Sequence, residues 1–100
     1  MLHKEHYIDH LYTVLQEECA ELIVAISKRK RFGETSFDPV DVNKVTQQEK
    51  INLEINDVFA LIGMLDSQGE TVHEDTAKQH TKMYKVNGYY LDTLAKDNLL

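Results

Sequence analysis

Residues 46–69, TQQEKINLEINDVFALIGMLDSQG, decide the fold. Thr46 is followed three positions later by Glu49, the spacing of a capping box, in which the hydroxyl and the carboxylate each satisfy a free backbone amide. A helix is predicted to continue to about Gln68, with Gly69 as its C-terminal cap. Its apolar residues lie nearly all round the helix, and this pattern predicts burial on most sides.

A first helix is predicted from about His3 to Phe32, with Gly33 as its cap. Its apolar residues recur at steps of three and four, and this spacing places them on one face. These residues are Ile8, Leu11, Tyr12, Leu15, Cys19, Leu22, Ile23 and Ile26. Because Cys19 belongs to this face, we expect it to be a core residue and not a catalytic one.

A third helix is predicted from about His73 to Lys96, because Thr71 and Glu74 repeat the capping-box spacing. Its predicted inner face consists of Met83, Tyr84, Tyr90, Leu91 and Leu94. Residues 34–45 have no sustained period and are predicted to be a loop, either a lid or a connector. Since there is no strand signal, we expect one all-α domain over residues 1–100. It would be a bundle of about three main helices, completed by oligomerisation as a homodimer or homotetramer.

Composition narrows the classes of function. The chain has 100 residues and a net charge of −6, which argues against binding to a nucleic-acid polymer. Cys19 is the single cysteine, so an internal disulfide is excluded and a reducing cytoplasm is the expected location. No apolar run is long enough for a membrane span, and the N-terminus has no signal-peptide pattern.

Acidic residues interrupt both of the first two helices. Glu18 and Glu21 are three positions apart, as are Glu54 and Asp57, so each pair lies on one helix face. Antiparallel pairing of the helices would bring the four carboxylates together. Because clustered carboxylates repel one another, they need protonation or a bound cation, and oxygen ligands in this number suit Mg²⁺ or Mn²⁺.

Two simpler explanations of these acids remain open at this stage. The acids of the first helix could be ordinary charges on a helix surface. Alternatively, Lys28 or Lys50 could neutralise the cluster through a structural salt bridge. The second helix favours a functional explanation, because charged residues at half-buried positions are uncommon unless they are paired or ligated.

Two motifs resemble those of a known family. Residues 17–21 have the form E-E-x-x-E and residues 54–57 have the form E-x-x-D. Together, in this order and each on a predicted helix, they are similar to the signature of the MazG-like all-α nucleoside triphosphate pyrophosphohydrolases, notably the short phage and bacterial members. The thirty-two residues between the two motifs are more than is usual in that family.

The resemblance implies an activity and a set of site residues. The activity is Mg²⁺-dependent hydrolysis of an NTP or dNTP to the monophosphate and pyrophosphate. Glu18, Glu21, Glu54 and Asp57 would hold the metal, and Glu17 would be a further ligand or would orient the attacking water. Glu17 and Glu18 are therefore the expected catalytic residues.

Basic residues are candidates for binding the substrate phosphates. Lys28 and Arg29 continue the acidic flank of the first helix, although complementing the helix dipole would equally explain them. Lys82 and Lys85 belong to a row on the third helix that could instead be a solvated face. Asn87 lies in the apolar arc of that helix, where its amide would read a base edge or bond another helix.

Two other classes of protein compete with the enzyme. One is a non-catalytic helical interaction or oligomerisation protein with a degenerate metal site, in which the apolar second helix forms a dimer seam. The other is a carboxylate di-iron bundle, which normally carries Glu-x-x-His on two helices. The second is poorly supported, because neither Glu21 nor Asp57 is replaced by histidine.

Overall fold

The computed structural model describes residues 3–70 and 72–100, and these residues form three helices. The helices are α1 (Lys4–Phe32), α2 (Gln47–Ser67) and α3 (Thr76–Lys96). The described residues contain no β-strand, and an isolated bridge between Phe37 and Thr46 is their only β-type pairing. The predicted all-α class is therefore confirmed, as is the loop between α1 and α2.

The predicted capping box at the start of α2 is present. The Thr46 hydroxyl accepts a hydrogen bond from the Glu49 amide at 3.1 Å, and the Glu49 carboxylate accepts one from the Thr46 amide at 3.1 Å. At its other end α2 stops at Ser67, and Gly69 follows with a φ of +84°. Both ends of α2 therefore lie within one residue of their predicted positions.

The loop between α1 and α2 folds back onto the first turn of α2. The Gln47 amide donates to the carbonyl oxygen of Ser36 at 2.8 Å, and the Gln48 amide donates to that of Glu34 at 3.1 Å. These amides have no partner inside the helix, because the first turn of any helix leaves its N–H groups free. The loop therefore both caps α2 and is held against it.

α1 and α2 pack antiparallel along a single seam. Leu11, early in α1, packs with Leu61 and Leu65, late in α2, whereas Lys28 and Lys50 lie together at the opposite end. The residues that face across the seam repeat at steps of four and three, as in a coiled coil. They are Leu11, Leu15, Glu18, Leu22 and Ala25 on α1 and Gln47, Ile51, Glu54, Val58, Leu61 and Leu65 on α2, all buried or half-buried. We call this set the α1–α2 seam.

The predicted apolar face of α1 is only partly correct. Its members Ile8, Leu11, Leu15 and Leu22 are buried or half-buried, but Tyr12, Cys19, Ile23 and Ile26 are exposed. The placement of Cys19 in the core is therefore wrong. The physical reason is that α2 covers one side of this broad apolar face, so the other side stays open within the chain.

The prediction that α2 is buried on most sides is also wrong within this chain. Its buried side chains lie on the α1–α2 seam, whereas Leu53, Phe59 and Met64 are exposed. The reason is that α1 is the only helix that packs against α2 in the described residues.

Within the same residues, no helix combines the length and apolarity that a membrane span requires.

α3 begins later than predicted. Its first residue is Thr76, and the Asp75 carboxylate accepts a hydrogen bond from the Lys78 amide at 3.1 Å. Asp is among the strongest N-caps, and this cap starts the helix after Glu74 and not at His73. The capping box expected at residues 71–74 is therefore not the start of the helix, and Thr71 itself lies outside the described residues.

α3 packs against neither α1 nor α2 in the described part of the chain. None of its residues is buried, and most of the predicted inner face, including Met83, Tyr84 and Tyr90, is exposed. The radius of gyration is 18.0 Å, whereas a compact domain of this length has about 13 Å. The amphipathic face of α3 is thus present, but no other described helix packs against it.

The capping box provides a test of this architecture. Thr46→Ala removes the side-chain acceptor of the cap, and we expect it to lower the free energy of unfolding by about 1 kcal/mol. Thr81→Ala is the control, because Thr81 only bonds the carbonyl of Ala77 inside α3. Urea denaturation followed by circular dichroism, at one chain concentration, compares the two. Equal losses in both variants would contradict the assigned role of Thr46.

Candidate metal centre

The α1–α2 seam contains two carboxylates that face each other. Glu18 lies seven residues from both Leu11 and Ala25, and Glu54 lies seven residues before Leu61. A spacing of seven returns to the same face of a packed helix, so both acids occupy positions that apolar residues occupy elsewhere in the seam. Both are half-buried as a result.

Three carboxylate groups converge at this point. One oxygen from each of Glu18, Glu21 and Glu54 lies within 4.8 Å of the other two. The Oε2 atoms of Glu18 and Glu54 are buried and have no hydrogen-bond partner among the residues that the structure describes. An ionised carboxylate only accepts hydrogen bonds, so these oxygens need a donated proton or a cation.

The proximity of these acids changes the proton affinity of Glu18. Its pKa is raised from the ordinary value of 4.5 to about 7. The largest cause is the hydrogen bond that protonated Glu18 can make to Glu54, followed by loss of hydration. The negative charges of Glu21, Asp57 and Glu54 raise the pKa further. Near neutral pH Glu18 is therefore only partly protonated, and a cation held by the cluster would compete with this proton.

No salt bridge neutralises the cluster. Over residues 3–70 and 72–100, the only ion pair joins Arg29 to Glu34 at 3.1 Å, and both side chains are largely exposed. The alternative explanation, in which Lys28 or Lys50 pairs with the acids, is therefore not observed in this structure. When ionised, the three carboxylates therefore repel one another without a direct ion pair to offset the repulsion.

Two lysines nevertheless lie next to the acids. A cavity of about 340 Å³ between α1 and α2 is lined by Glu21 and Glu54 at one side and by Lys28 and Lys50 at the other. Its remaining wall is apolar, formed by Ala20, Val24, Ala25 and Leu53. Carboxylates that can hold a cation and ammonium groups that attract an anion therefore share one cavity. Such a cavity suits a phosphate chain that carries a divalent ion.

The other predicted acids lie near the cluster but outside it. Asp57 is exposed and does not belong to the group of three close oxygens, although its charge acts on Glu18. Glu17 is exposed on α1 next to Glu18 and is also outside the group. Of the four predicted metal ligands, the structure therefore brings three together, and the role of Asp57 stays a prediction.

The predicted substrate-binding residues are divided between two places. Lys28 lies at the cavity, whereas Arg29 is engaged with a loop carboxylate. Lys82, Lys85 and Asn87 are exposed on α3, which does not pack against the other helices in the described chain. A single chain therefore does not bring these α3 residues to the acids, and their roles stay predictions.

Two residues of this region carry no predicted ligand-binding role: Lys50, which lines the cavity, and Gln47, which lies on the α1–α2 seam. Lys50 was considered only as a salt-bridge partner, and Gln47 only as part of the capping sequence. Gln47 is buried at the first position of α2 and lies seven residues before Glu54 on the seam. The repeat that connects Gln47, Ile51 and Glu54 is the sequence signal that could have identified it.

Comparison with known proteins adds no assignment. The chain matches no model of a protein family, no curated protein and no solved structure. The chemistry open to the site therefore follows from its three carboxylates and two lysines.

The raised pKa of Glu18 predicts how the stability of the metal-free protein depends on pH. Between pH 4.5 and about 7, folded Glu18 holds its proton while the unfolded chain releases it. The folded state is thus favoured at low pH, and stability decreases as the pH rises through this range. We expect Mg²⁺ to counteract this loss, with an effect that increases with pH.

Thermal unfolding in EDTA and in Mg²⁺, from pH 5 to pH 8, measures both effects. Glu18→Gln cannot ionise and should lose most of the decline with pH. In EDTA, Glu17→Gln is the matched control, because Glu17 lies outside the group of three close oxygens, and its stability should decline with pH as in the unmodified protein. An undiminished decline in Glu18→Gln would show that another group titrates.

Proposed function

We propose that this protein is a Mg²⁺-dependent nucleotide pyrophosphohydrolase. It would hydrolyse an NTP or dNTP to the monophosphate and pyrophosphate, a reaction on an acid anhydride. The observation that carries the proposal is the convergence of Glu18, Glu21 and Glu54, with unpartnered buried oxygens, beside Lys28 and Lys50. The resemblance of the two acidic motifs to the MazG-like family supports the same activity.

The residues of the cluster fit a hard divalent ion. Mg²⁺ and Mn²⁺ prefer carboxylate oxygens, and no donor in residues 3–70 or 72–100 reaches the buried Oε2 atoms of Glu18 and Glu54. We assign Glu18, Glu21 and Glu54 as the residues that hold the ion. Asp57 is proposed as a fourth ligand, because it lies close enough for its charge to act on Glu18.

The proposed reaction consumes one water and breaks one bridging bond. Attack on phosphorus by the water oxygen separates the α- and β-phosphates, and the proton of the water must be accepted nearby. Bound Mg²⁺ would neutralise phosphate charge and lower the pKa of a bound water. Glu17 is proposed to orient the attacking water and take its proton. Lys28 and Lys50 attract the phosphate chain to the cavity.

We also propose that the functional form contains at least two copies of the chain. The chain exposes 8287 Å², whereas a compact monomer of this mass exposes about 5,800 Å². The excess is larger than the roughly 800 Å² that one partner contributes to a standard interface. We propose that a second copy of the chain covers the exposed apolar faces of α1, α2 and α3, in a homodimer or a homotetramer.

Assembly also bears on the substrate site. α3 presents Lys82, Lys85 and Asn87 on an unpacked helix. In an assembly, α3 of one copy could contact the acidic cluster of another and supply these phosphate- and base-binding groups. The predicted roles of the three residues therefore depend on assembly, since the single chain keeps them away from the acids.

The enzyme proposal is tested by assaying pyrophosphate release from standard and modified NTPs and dNTPs. Glu54→Gln preserves side-chain size but removes the charge that holds the ion, so we expect turnover to decrease at least about 100-fold. EDTA should abolish turnover, and Mg²⁺ should restore it. Glu74→Gln, in the segment before α3, is the control and should retain full activity.

Three results would contradict this proposal. One is an unchanged rate in Glu54→Gln, and another is activity that survives EDTA. The third is absence of pyrophosphate release from every nucleotide together with normal assembly, which would favour the non-catalytic interaction protein. Circular dichroism of each variant shows whether the helices are intact.

The assembly proposal is tested with two neighbouring tyrosines of α3. Tyr90 shares the apolar face of Met83 and Leu94, whereas Tyr89 continues the lysine row, yet the two are 63% and 65% exposed. Tyr90→Glu should shift the protein towards monomer in sedimentation velocity, and Tyr89→Glu should not. A monomeric unmodified protein at micromolar concentration would refute the proposed assembly.

A further inference from the structure

A second cavity lies where the end of α1, the following loop and the start of α2 meet. Its volume is about 420 Å³, within the range of pockets that hold small organic ligands. Phe32 and Phe37 line it, and their side chains are 58% and 40% exposed. Lys28 and Lys50 complete one side. Asp38 also contributes to the lining, so the cavity combines apolar ring surface with two ammonium groups and one carboxylate.

Gln47 in the wall of this cavity has an unmet hydrogen-bonding requirement. The residue is 4% exposed, and its Oε1 atom has no hydrogen-bond partner in the described protein. The backbone of Gln47 is held in place, because its backbone N–H donates to the Ser36 carbonyl oxygen and Gln47 is the first residue of α2. Buried polar atoms almost always have a hydrogen-bond partner. We therefore expect the Oε1 atom of Gln47 to accept a hydrogen bond from an N–H or O–H group of a bound ligand.

The two cavities adjoin at the same pair of lysines. Lys28 and Lys50 line both the 420 Å³ cavity and the 340 Å³ cavity that contains Glu21 and Glu54. An anionic group at the lysines would thus have the carboxylates on one side and the aromatic rings with Gln47 on the other. The order of these groups suits a ligand with a phosphate chain at one end and a planar polar ring at the other.

We propose that the second cavity binds the nucleobase of the substrate, with the side-chain amide of Gln47 hydrogen-bonded to the base edge. Phe32 and Phe37 contact the apolar faces of the ring, as aromatic side chains do with bases. A glutamine amide offers one acceptor beside one donor, and this pair matches the adjacent groups of a base edge. The assignment rests on the proposed function for the phosphate end of the ligand.

Other ligand chemistries fit the cavity less well. Inorganic phosphate at the lysines would leave the apolar surface of Phe37 without a contact. A hydrocarbon chain would cover the rings but would leave the Oε1 atom of Gln47 unpartnered. A nucleobase satisfies both requirements, because it is apolar on its faces and has hydrogen-bonding groups on its edge.

Isothermal titration in EDTA with AMP, GMP, CMP, UMP and ribose 5-phosphate tests the proposal. We expect at least one nucleotide to bind more tightly than ribose 5-phosphate, and Gln47→Leu to weaken that nucleotide about tenfold or more. Gln48→Leu is the matched control, because the side-chain amide of Gln48 donates to the Asn52 side chain and Gln48 does not line the cavity. Its affinities should equal those of the unmodified protein.

A second variant keeps the test valid if Gln47→Leu fails to fold. Phe37→Leu removes a ring from the cavity and should also weaken the preferred nucleotide, whereas Phe59→Leu, on the exposed side of α2, should not. Affinities in both cavity variants equal to those of the unmodified protein would overturn the assignment. Nucleotides that bind no better than ribose 5-phosphate would also overturn it.

The outcomes separate this inference from the proposed function. Tripolyphosphate with Mg²⁺ probes the acidic site without a base, and its affinity should stay within about twofold in Gln47→Leu. Base-dependent binding without pyrophosphate release would support the cavity and refute the proposed hydrolysis. Pyrophosphate release with equal affinity for every base and for ribose 5-phosphate would refute the cavity and leave the hydrolysis intact.

Discussion

Glu18 and Glu54 place two like charges opposite each other across the seam where α1 and α2 pack. The repulsion cannot be relieved by separating the helices, because apolar layers lie on both sides of the acids, with Leu11 against Leu61 at one end. The two carboxylates, joined by Glu21, must therefore share a proton or hold a cation. The stability, pH response and proposed chemistry of this protein all depend on how this charge is balanced.

The antiparallel seam also determines the order of chemical groups along the groove between the helices. Moving from the acids towards the end of α1, one meets Lys28 and Lys50, and then the cavity at Gln47. Gln47 and Glu54 are seven residues apart, about 10 Å along α2. The regular helical repeat thus places the proposed sites for a cation, a phosphate chain and a nucleobase in succession.

The rest of the structure is more open than a stable monomer of this size requires. The buried apolar residues of the described chain are Leu11, Ala25, Ile51, Leu61 and Leu65, and all of them belong to the α1–α2 seam. This core is small for 100 residues, and α3 adds no buried residue to it. In the proposed assembly, α3 would gain its packing from another copy, and folding would be coupled to association.

The sequence by itself determined the helical class, the cap at Thr46 and the ends of α1 and α2, because these depend on hydrogen bonds between residues close in the chain. It also determined which acids share a helix face. The tertiary structure alone decided that Glu18 lies on the seam, that Cys19 is exposed and that α3 is unpacked. The physical reason is that periodicity sets the angles between side chains on one helix, whereas the rotation of that helix against its neighbour depends on the packing of both.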